Sequence, residues 1–373
     1  MKIKKKKSNK KVKFLLYLIV LLIAAGAFLY TQHRRNLDLN NSIEANTAIE
    51  GLSYKKELLF SVPLGSIKSP LGIKYNKSMD SYEFPAAIAA KNNKIYVADP
   101  VNYRVVVFDQ NGEVIDRIKL PEKESIIDIG VDNKENVYIV NYYHSKVYIY
   151  NSESKKFKTI TAFSGPHRVE IFGDRYCILD FNPQKASELR LQTFSLNGEL
   201  LDTKTQYDMD LNLYTLEDQE NNIISFNIIK GQKFQLAEEY EILIKREAKI
   251  LRRIKYVPDN PKGPYYKNIS LLGIGPNSKL YILRSVGPKF EPNLSFYQVQ
   301  EKTKTYIDII DLVTGQVQTQ ELEKDYSLYG PGVTSHRFAM DESGNIYQAQ
   351  ITKDEIRFIK YYFGNFSNEF GKK

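Results

Sequence analysis

Tryptophan is absent from the 373 residues, cysteine occurs once, and there are only four histidines. A single cysteine, Cys177, removes any intrachain disulfide, so the folded part must hold together by core packing alone. Its place in the apolar stretch YCILD marks it as a buried thiol rather than a reactive one. No GxSxG elbow, HExxH pair or phosphate-cradling glycine loop occurs, so the common signatures of serine hydrolases, zinc peptidases and P-loop enzymes are missing. The formal net charge of +9 would fit a nucleic-acid binder, but its distribution does not. Residues 1–35 hold eight lysines, Arg34, Arg35 and no acid, and the other 43 basic and 44 acidic residues leave a net charge of −1. The bulk of the chain lacks the electrostatic footprint of a DNA or RNA binder, and no nucleic-acid partner is expected.

What the N-terminus does have is one long apolar run. Phe14 to Tyr30, FLLYLIVLLIAAGAFLY, is 17 uncharged residues, at the short end of what crosses a bilayer as a helix. The lysines before it should stay in the cytoplasm and place the rest of the chain outside. A cleaved signal peptide is the alternative, with Ala25-Gly26-Ala27 as its small-residue site, but the apolar run continues through Phe28, Leu29 and Tyr30. The expectation is therefore a basic cytoplasmic tail over 1–13, a single-pass signal-anchor over 14–30 and a polar tether over 31–55. The abundance of Lys, Ile, Asn and Tyr suits a bacterial chain from AT-rich DNA.

Beyond the tether the sequence repeats. KIYVADPVNYRVVVFDQNGEVIDRIKLP, from Lys94, reads as three short strands, the last two joined at Asn111-Gly112, with AAIAA at Ala86–Ala90 before them. FDQNGEVID (108–116) is answered by FSLNGELLD (194–202), and the inner strand pair recurs down the chain. Tyr96, Tyr138, Cys177, Ser225, Tyr281 and Tyr347 anchor six units, spaced by 42, 39, 48, 56 and 66 residues. Four antiparallel strands at a period near 40 are the signature of propeller blades. The predicted fold is all-β, a six-bladed β-propeller over 56–366 with a short tail over 367–373. The last unit lacks a fourth strand, and KELLFSVPLG (56–65) resembles an outer strand without a blade, so it is predicted to close the ring.

Tyr96-Val97-Ala98-Asp99, Asn102, Arg104-Val105, Phe108-Asp109 and Gly112 resemble an NHL repeat, and the whole of 56–366 resembles the six-bladed NHL-type propellers. Strand order puts the start of each innermost strand on the same side as the loop between second and third strands. That rim collects Asp99, Asn102, Asn141, His144, Asp180, Asn182, Asn227 and Arg284, with the long segments 72–84, 258–268 and 285–296. His167-Arg168 opens unit three and His336-Arg337 opens unit six, so the four residues are expected to converge at the channel mouth. Tyr142-Tyr143 and Tyr265-Tyr266 are placed in rim loops, where they could grip a peptide or glycan.

The resemblance also implies metals. Amidating lyases of this kind use histidine ligands, which points to zinc on His167 and His336 completed by His144 or Asp180. Lactonase-like propellers hold calcium with a glutamate and asparagines, here Glu83, Asn182 and Asn227. The functional expectation is a membrane-anchored extracytoplasmic platform that binds a protein, peptide or glycan through its loop-rich face. The alternative is a metal-dependent lyase or hydrolase with its site at the channel mouth.

Overall fold

Each repeat places its second strand between two neighbours, so that strand loses the alternation of an exposed sheet and becomes apolar on both faces. In the computed structural model, every residue of Val137–Asn141 and of Ile346–Ile351 is buried, while the outer strand Val114–Lys119 is largely exposed. The structure describes residues 42–44, 54–63, 69–72, 74–76, 81–83, 85–161, 163–181, 189–206, 215–217, 223–230, 239–246, 249–258, 265–288, 303–323, 337–352 and 354–362.

These form a six-bladed propeller of antiparallel four-stranded blades. Blade 1 is Ile88–Lys91, Lys94–Asp99, Arg104–Phe108 and Val114–Lys119. Blade 2 is Asp128–Val131, Val137–Asn141, Lys146–Asn151 and Lys156–Ile160. Blade 3 is Pro166–Phe172, Arg175–Phe181, Leu189–Ser195 and Leu200–Gln206. Blade 4 is Thr215–Glu217, Ile223–Lys230, Glu239–Arg246 and Lys249–Tyr256. Blade 5 is Tyr265–Gly275, Lys279–Pro288, Lys304–Asp311 and Val317–Glu321. Blade 6 has Phe338–Met340, Ile346–Ile351 and Glu355–Tyr362, and its fourth strand is Lys55–Pro63 from the other end of the chain. The closure read from the sequence is thus present, running from Lys55 opposite Tyr362 to Pro63 opposite Glu355.

The core lies in the seams between blades. Tyr96, Ala98 and Val105 of blade 1 pack on Ile129, Val137 and Tyr148 of blade 2. Across the closing seam, Phe60 stacks on Phe358 (centroids 4.6 Å) and meets Phe108 at 5.2 Å. Gly112 has a φ of +85°, and a Cβ there would sit 2.6 Å from Phe60 Cγ, so turn geometry and close approach both require glycine.

Two inner turns repeat atom for atom. In blade 2 Asp132 accepts from the Lys134 and Asn136 N–H groups (2.8 and 2.9 Å), Asn136 Nδ2 (2.9 Å) and the Tyr138 hydroxyl (3.2 Å). In blade 6 Asp341 accepts from the Ser343 and Asn345 N–H groups (2.9 Å each), Asn345 Nδ2 (2.8 Å) and the Tyr347 hydroxyl (3.0 Å). The spacing Asp-x-x-x-Asn-x-Tyr explains why Tyr138 and Tyr347 anchor the repeat.

Two connections carry more structure than the sequence predicted. Within the 72–84 segment, Lys74–Asn76 and Ser81–Glu83 pair as a small hairpin. Within the expected tether, Ser42–Glu44 adds a parallel fifth strand to the outer edge of blade 4. Among the described residues no helix is long and apolar enough to cross a membrane. The apolar run 14–30 lies outside the described residues.

Candidate functional site

In blades 1, 2 and 3 a polar residue at or next to the end of the second strand sits at the rim, where the chain must turn. In blade 1 that residue is Asp99, fully buried. It accepts from the Gly72 N–H (3.1 Å), Asn102 Nδ2 (2.9 Å) and Arg104 Nε (2.9 Å), while Arg104 Nη2 reaches the Pro70 carbonyl (2.7 Å). A Cβ on Gly72 would lie 2.4 Å from Asn102 Nδ2. Asp180 of blade 3 repeats the fixture, accepting from the Ser164 and Gly165 N–H groups (3.1 and 2.7 Å) and from Arg190. Both carboxylates clamp the incoming inter-blade connection and are neutralised by an arginine of the third strand.

Blade 2 moves the acid to the connection. Buried Glu124 accepts from Asn141 Nδ2 (2.6 Å), the Tyr148 hydroxyl (2.5 Å) and Lys146 Nζ (3.0 Å), with His144 Nδ1 3.7 Å away. Burial pushes the Glu124 carboxyl up, but the hydrogen bonds from Tyr148 and Lys146, with the charge of His144, outweigh it and hold the group at about 2 against the usual 4.5. A depressed carboxyl stabilises the fold above its unfolded value and loses that contribution as it protonates. Glu124→Gln is therefore expected to cost about 1–3 kcal/mol at pH 7. The gap from wild type should close as pH falls from about 4.5 to about 2, measured by urea midpoints. A gap independent of pH over that window would refute the assignment.

Blade 5 inverts the pair. Arg284 lies inside the second strand there, Lys279–Pro288, and is 2% exposed, not displayed on the rim as expected. It donates to Asp308 through Nε (2.7 Å) and Nη2 (3.2 Å) and lies over the Tyr306 ring at 4.6 Å. Asp308 also accepts from Thr319 Oγ1 (2.6 Å) and from the Tyr256 hydroxyl of blade 4.

The His167-Arg168 pair is split between two environments. Arg168 lines the central channel, a space of about 170 Å³ shared with Ala89, Asp128, Glu170, Leu272 and Met340. It pairs with Glu170 and donates to the Leu271 carbonyl of blade 5 (3.2 Å). His167 leaves the channel at the irregularity between Pro166 and Arg168, and its ring lies 5.1 Å from that of Phe181. The extra residue of such a bulge is left out of the ladder, which separates His167 from Arg168. Arg337 is buried; His336 lies outside the described residues.

Further expectations move with the strand ends. Tyr265 and Tyr266 open the 11-residue innermost strand of blade 5, opposite Pro288 and Gly287, rather than lying in a loop. Asn227 is inside a strand, opposite Glu241, because Ile223–Lys230 runs on past it. Glu83 closes the small hairpin opposite Lys74, and Asn182 lies outside the described residues. Of the zinc candidates, Asp180 is committed to Arg190 and two backbone N–H groups and His144 faces Glu124, while the side chains of the calcium candidates Glu83, Asn182 and Asn227 lie outside what the structure describes. Among the described residues no group of three His, Cys, Asp or Glu is arranged to hold a metal.

What the rim of blades 2 and 3 does display is aromatic. Tyr143 is 71% exposed and Tyr142 42%, their rings edge to face at 5.6 Å. A tight turn holds them: His144 N–H donates to Asn141 Oδ1 (3.0 Å), Ser145 N–H to the Tyr142 carbonyl (3.2 Å) and Ser145 Oγ to the Ser164 carbonyl (3.1 Å). Gly165 lies between Tyr142 and Phe181; a Cβ there would meet Tyr142 Cε2 at 3.2 Å and Phe181 Cβ at 3.6 Å. Tyr143, Tyr142, Phe181 and His167 thus form one strip across the blade 2–3 seam. Phe181 and Gly165 were not singled out from the sequence. The signal was present, since Tyr142 and Phe181 each follow the polar end of a second strand in adjacent repeats.

No family model matches the chain, and no curated protein matches it. Among solved structures it is similar to a candidate exported protein of Bacteroides fragilis, at 13% identity over 87% of this chain and 99% of that one, TM-score 0.47. It is also similar to the virginiamycin B lyase of Staphylococcus aureus, at 8% identity over 82% and 99%, TM-score 0.42. The Pan2 WD40 domain of Neurospora crassa matches at 9% identity over 84% and 97%, TM-score 0.44. By its own topology the chain is a six-bladed β-propeller, a class in which function belongs to the site and not to the fold.

Proposed function

We propose that the protein is a membrane-anchored, extracytoplasmic interaction platform of NHL type, whose blade 2–3 rim grips an extended peptide or glycan. The observation that carries this reading is the strip of Tyr143, Tyr142, Phe181 and His167, held in place by a preformed turn. Rigid tyrosines present a flat apolar face with a polar edge, which suits sugar rings and peptide planes at small entropic cost. Lys146 and Glu122, ion-paired at 2.9 Å beside the strip, offer polar contacts at its margin. Anchoring by residues 14–30 is supported by the basic flank and the uncharged run.

The test is a glycan and peptide array probed with the full-length chain, followed by affinity measurements on the Tyr142→Ala/Tyr143→Ala variant. A bound ligand should lose tenfold or more in affinity, roughly 1.4 kcal/mol or above, with thermal unfolding unchanged. Undiminished binding by the double variant would refute this rim as the site.

A further inference from the structure

The parallel pairing of Ser42–Glu44 on blade 4 carries directional information. Strands alternate within a blade, so Lys249–Tyr256 runs from the hairpin end, Arg246 to Lys249, up to the rim face that carries Tyr142 and Tyr143. Ser42 lies opposite Arg253 and Glu44 opposite Lys255 in the same direction. Ser42–Glu44 therefore points from the hairpin face toward the face that carries the aromatic rim. Only eleven residues, 31–41, separate Ser42 from the apolar run, a reach of at most ~40 Å.

Charge marks the same corner. Residues 239–256 carry six basic and three acidic groups, a net +3 in a region beyond residue 35 whose total is −1. Lys245, Arg246 and Lys249 cluster where the last two strands of blade 4 turn. Arg252 donates to the Leu312 carbonyl (2.6 Å) and to that of Val313, which draws the blade 5 hairpin alongside. Val313, 57% exposed, then stands beside the basic turn as an apolar tip. Cationic side chains next to a small apolar tip fit anionic lipid headgroups.

We propose that the propeller stands on the membrane through the basic hairpin corner of blades 4 and 5, docked on anionic headgroups, with the aromatic rim turned away from the bilayer. This rests on the reading of residues 14–30 as a membrane anchor. It deepens the proposed function by leaving the Tyr142–Tyr143 rim open to extracytoplasmic ligands rather than to lipid.

The experiment uses the full-length chain with Cys177→Ser, which keeps a hydroxyl near Thr193 Oγ1 where the thiol makes its 3.3 Å contact. A fluorophore is placed by Val313→Cys or Tyr143→Cys, in phosphatidylcholine vesicles with or without phosphatidylglycerol and a headgroup-attached nitroxide quencher. Quenching at 313 should exceed that at 143 roughly threefold or more, rise with phosphatidylglycerol and fall with added salt. Adding Lys245→Glu/Lys249→Glu should abolish the lipid dependence. Equal or reversed quenching in protein that floats with the vesicles would overturn the orientation and leave the anchor standing. Unchanged quenching in the charge-reversed variant would overturn headgroup docking. Failure to float would overturn the anchor and the proposal together.

Discussion

Asp308→Ala is expected to destabilise the propeller by about 3–5 kcal/mol, which for a domain of this size lowers Tm by roughly 5–15 °C. The substitution leaves the Arg284 guanidinium buried at the seam of blades 4 and 5 without its carboxylate. It also removes the acceptor of Thr319 and Tyr256, so three donors lose a partner at once. The attraction between the two charges is not itself the source of the loss. Desolvation offsets most of it, so Arg284→Met/Asp308→Leu should recover much of the stability that the single change removes. Urea unfolding of the wild type, Asp308→Ala and the double variant tests this. A single-variant cost below about 1 kcal/mol would show that the site relaxes or hydrates, and the account would be wrong.

Removal of residues 55–63 should have a larger effect, because it takes away a whole strand rather than a contact. Glu355–Tyr362 would become an open edge with unpaired N–H and C=O groups, and Phe108 and Phe358 would be uncovered. The truncated chain is expected to yield no folded monomer and to elute as aggregate in size-exclusion chromatography. Phe60→Ala keeps the strand and removes only the half-buried ring, so it should cost about 1–3 kcal/mol and leave a monomer. A truncated chain that elutes as monomer with wild-type melting would show that the ring does not depend on this closure.

These two sites differ in how far the sequence revealed them. The closing strand was legible because KELLFSVP matches the outer-strand pattern and the last repeat is one strand short. Blade count and strand order were legible because burial on both faces writes itself as Val, Ile and Tyr runs at a regular period. The Arg284–Asp308 pair was not, since the period locates the centre of a strand and not its ends. Blade 5 has strands of 11 and 10 residues where blade 1 has strands of 4 and 6, and Arg284, Tyr265 and Tyr266 fall inside strands as a result.

Asp99 and Asp180 illustrate a second limit. An acid in a sequence does not disclose whether its partner is a ligand or the chain itself. Here the partners are Arg104 and Arg190, set opposite them by strand register. The aromatic strip shows the converse. Tyr142 and Phe181 belong to different repeats and flank Gly165 only because adjacent blades share a seam.

Closure by Lys55–Pro63 also sets a timetable. The strand is among the first parts of the propeller to be synthesised, yet its partner ends at Tyr362, about three hundred residues later. Blades 1 to 5 can pair strands locally as they emerge, whereas the sixth must wait for Glu355–Tyr362. Until then Lys55–Pro63 has no sheet to join and Phe108 has no cover. A contact this distant in sequence forms slowly. The nascent ring therefore spends its most aggregation-prone interval with both ends unpaired, and a chaperone acting on this protein would have most to do until Glu355–Tyr362 has emerged.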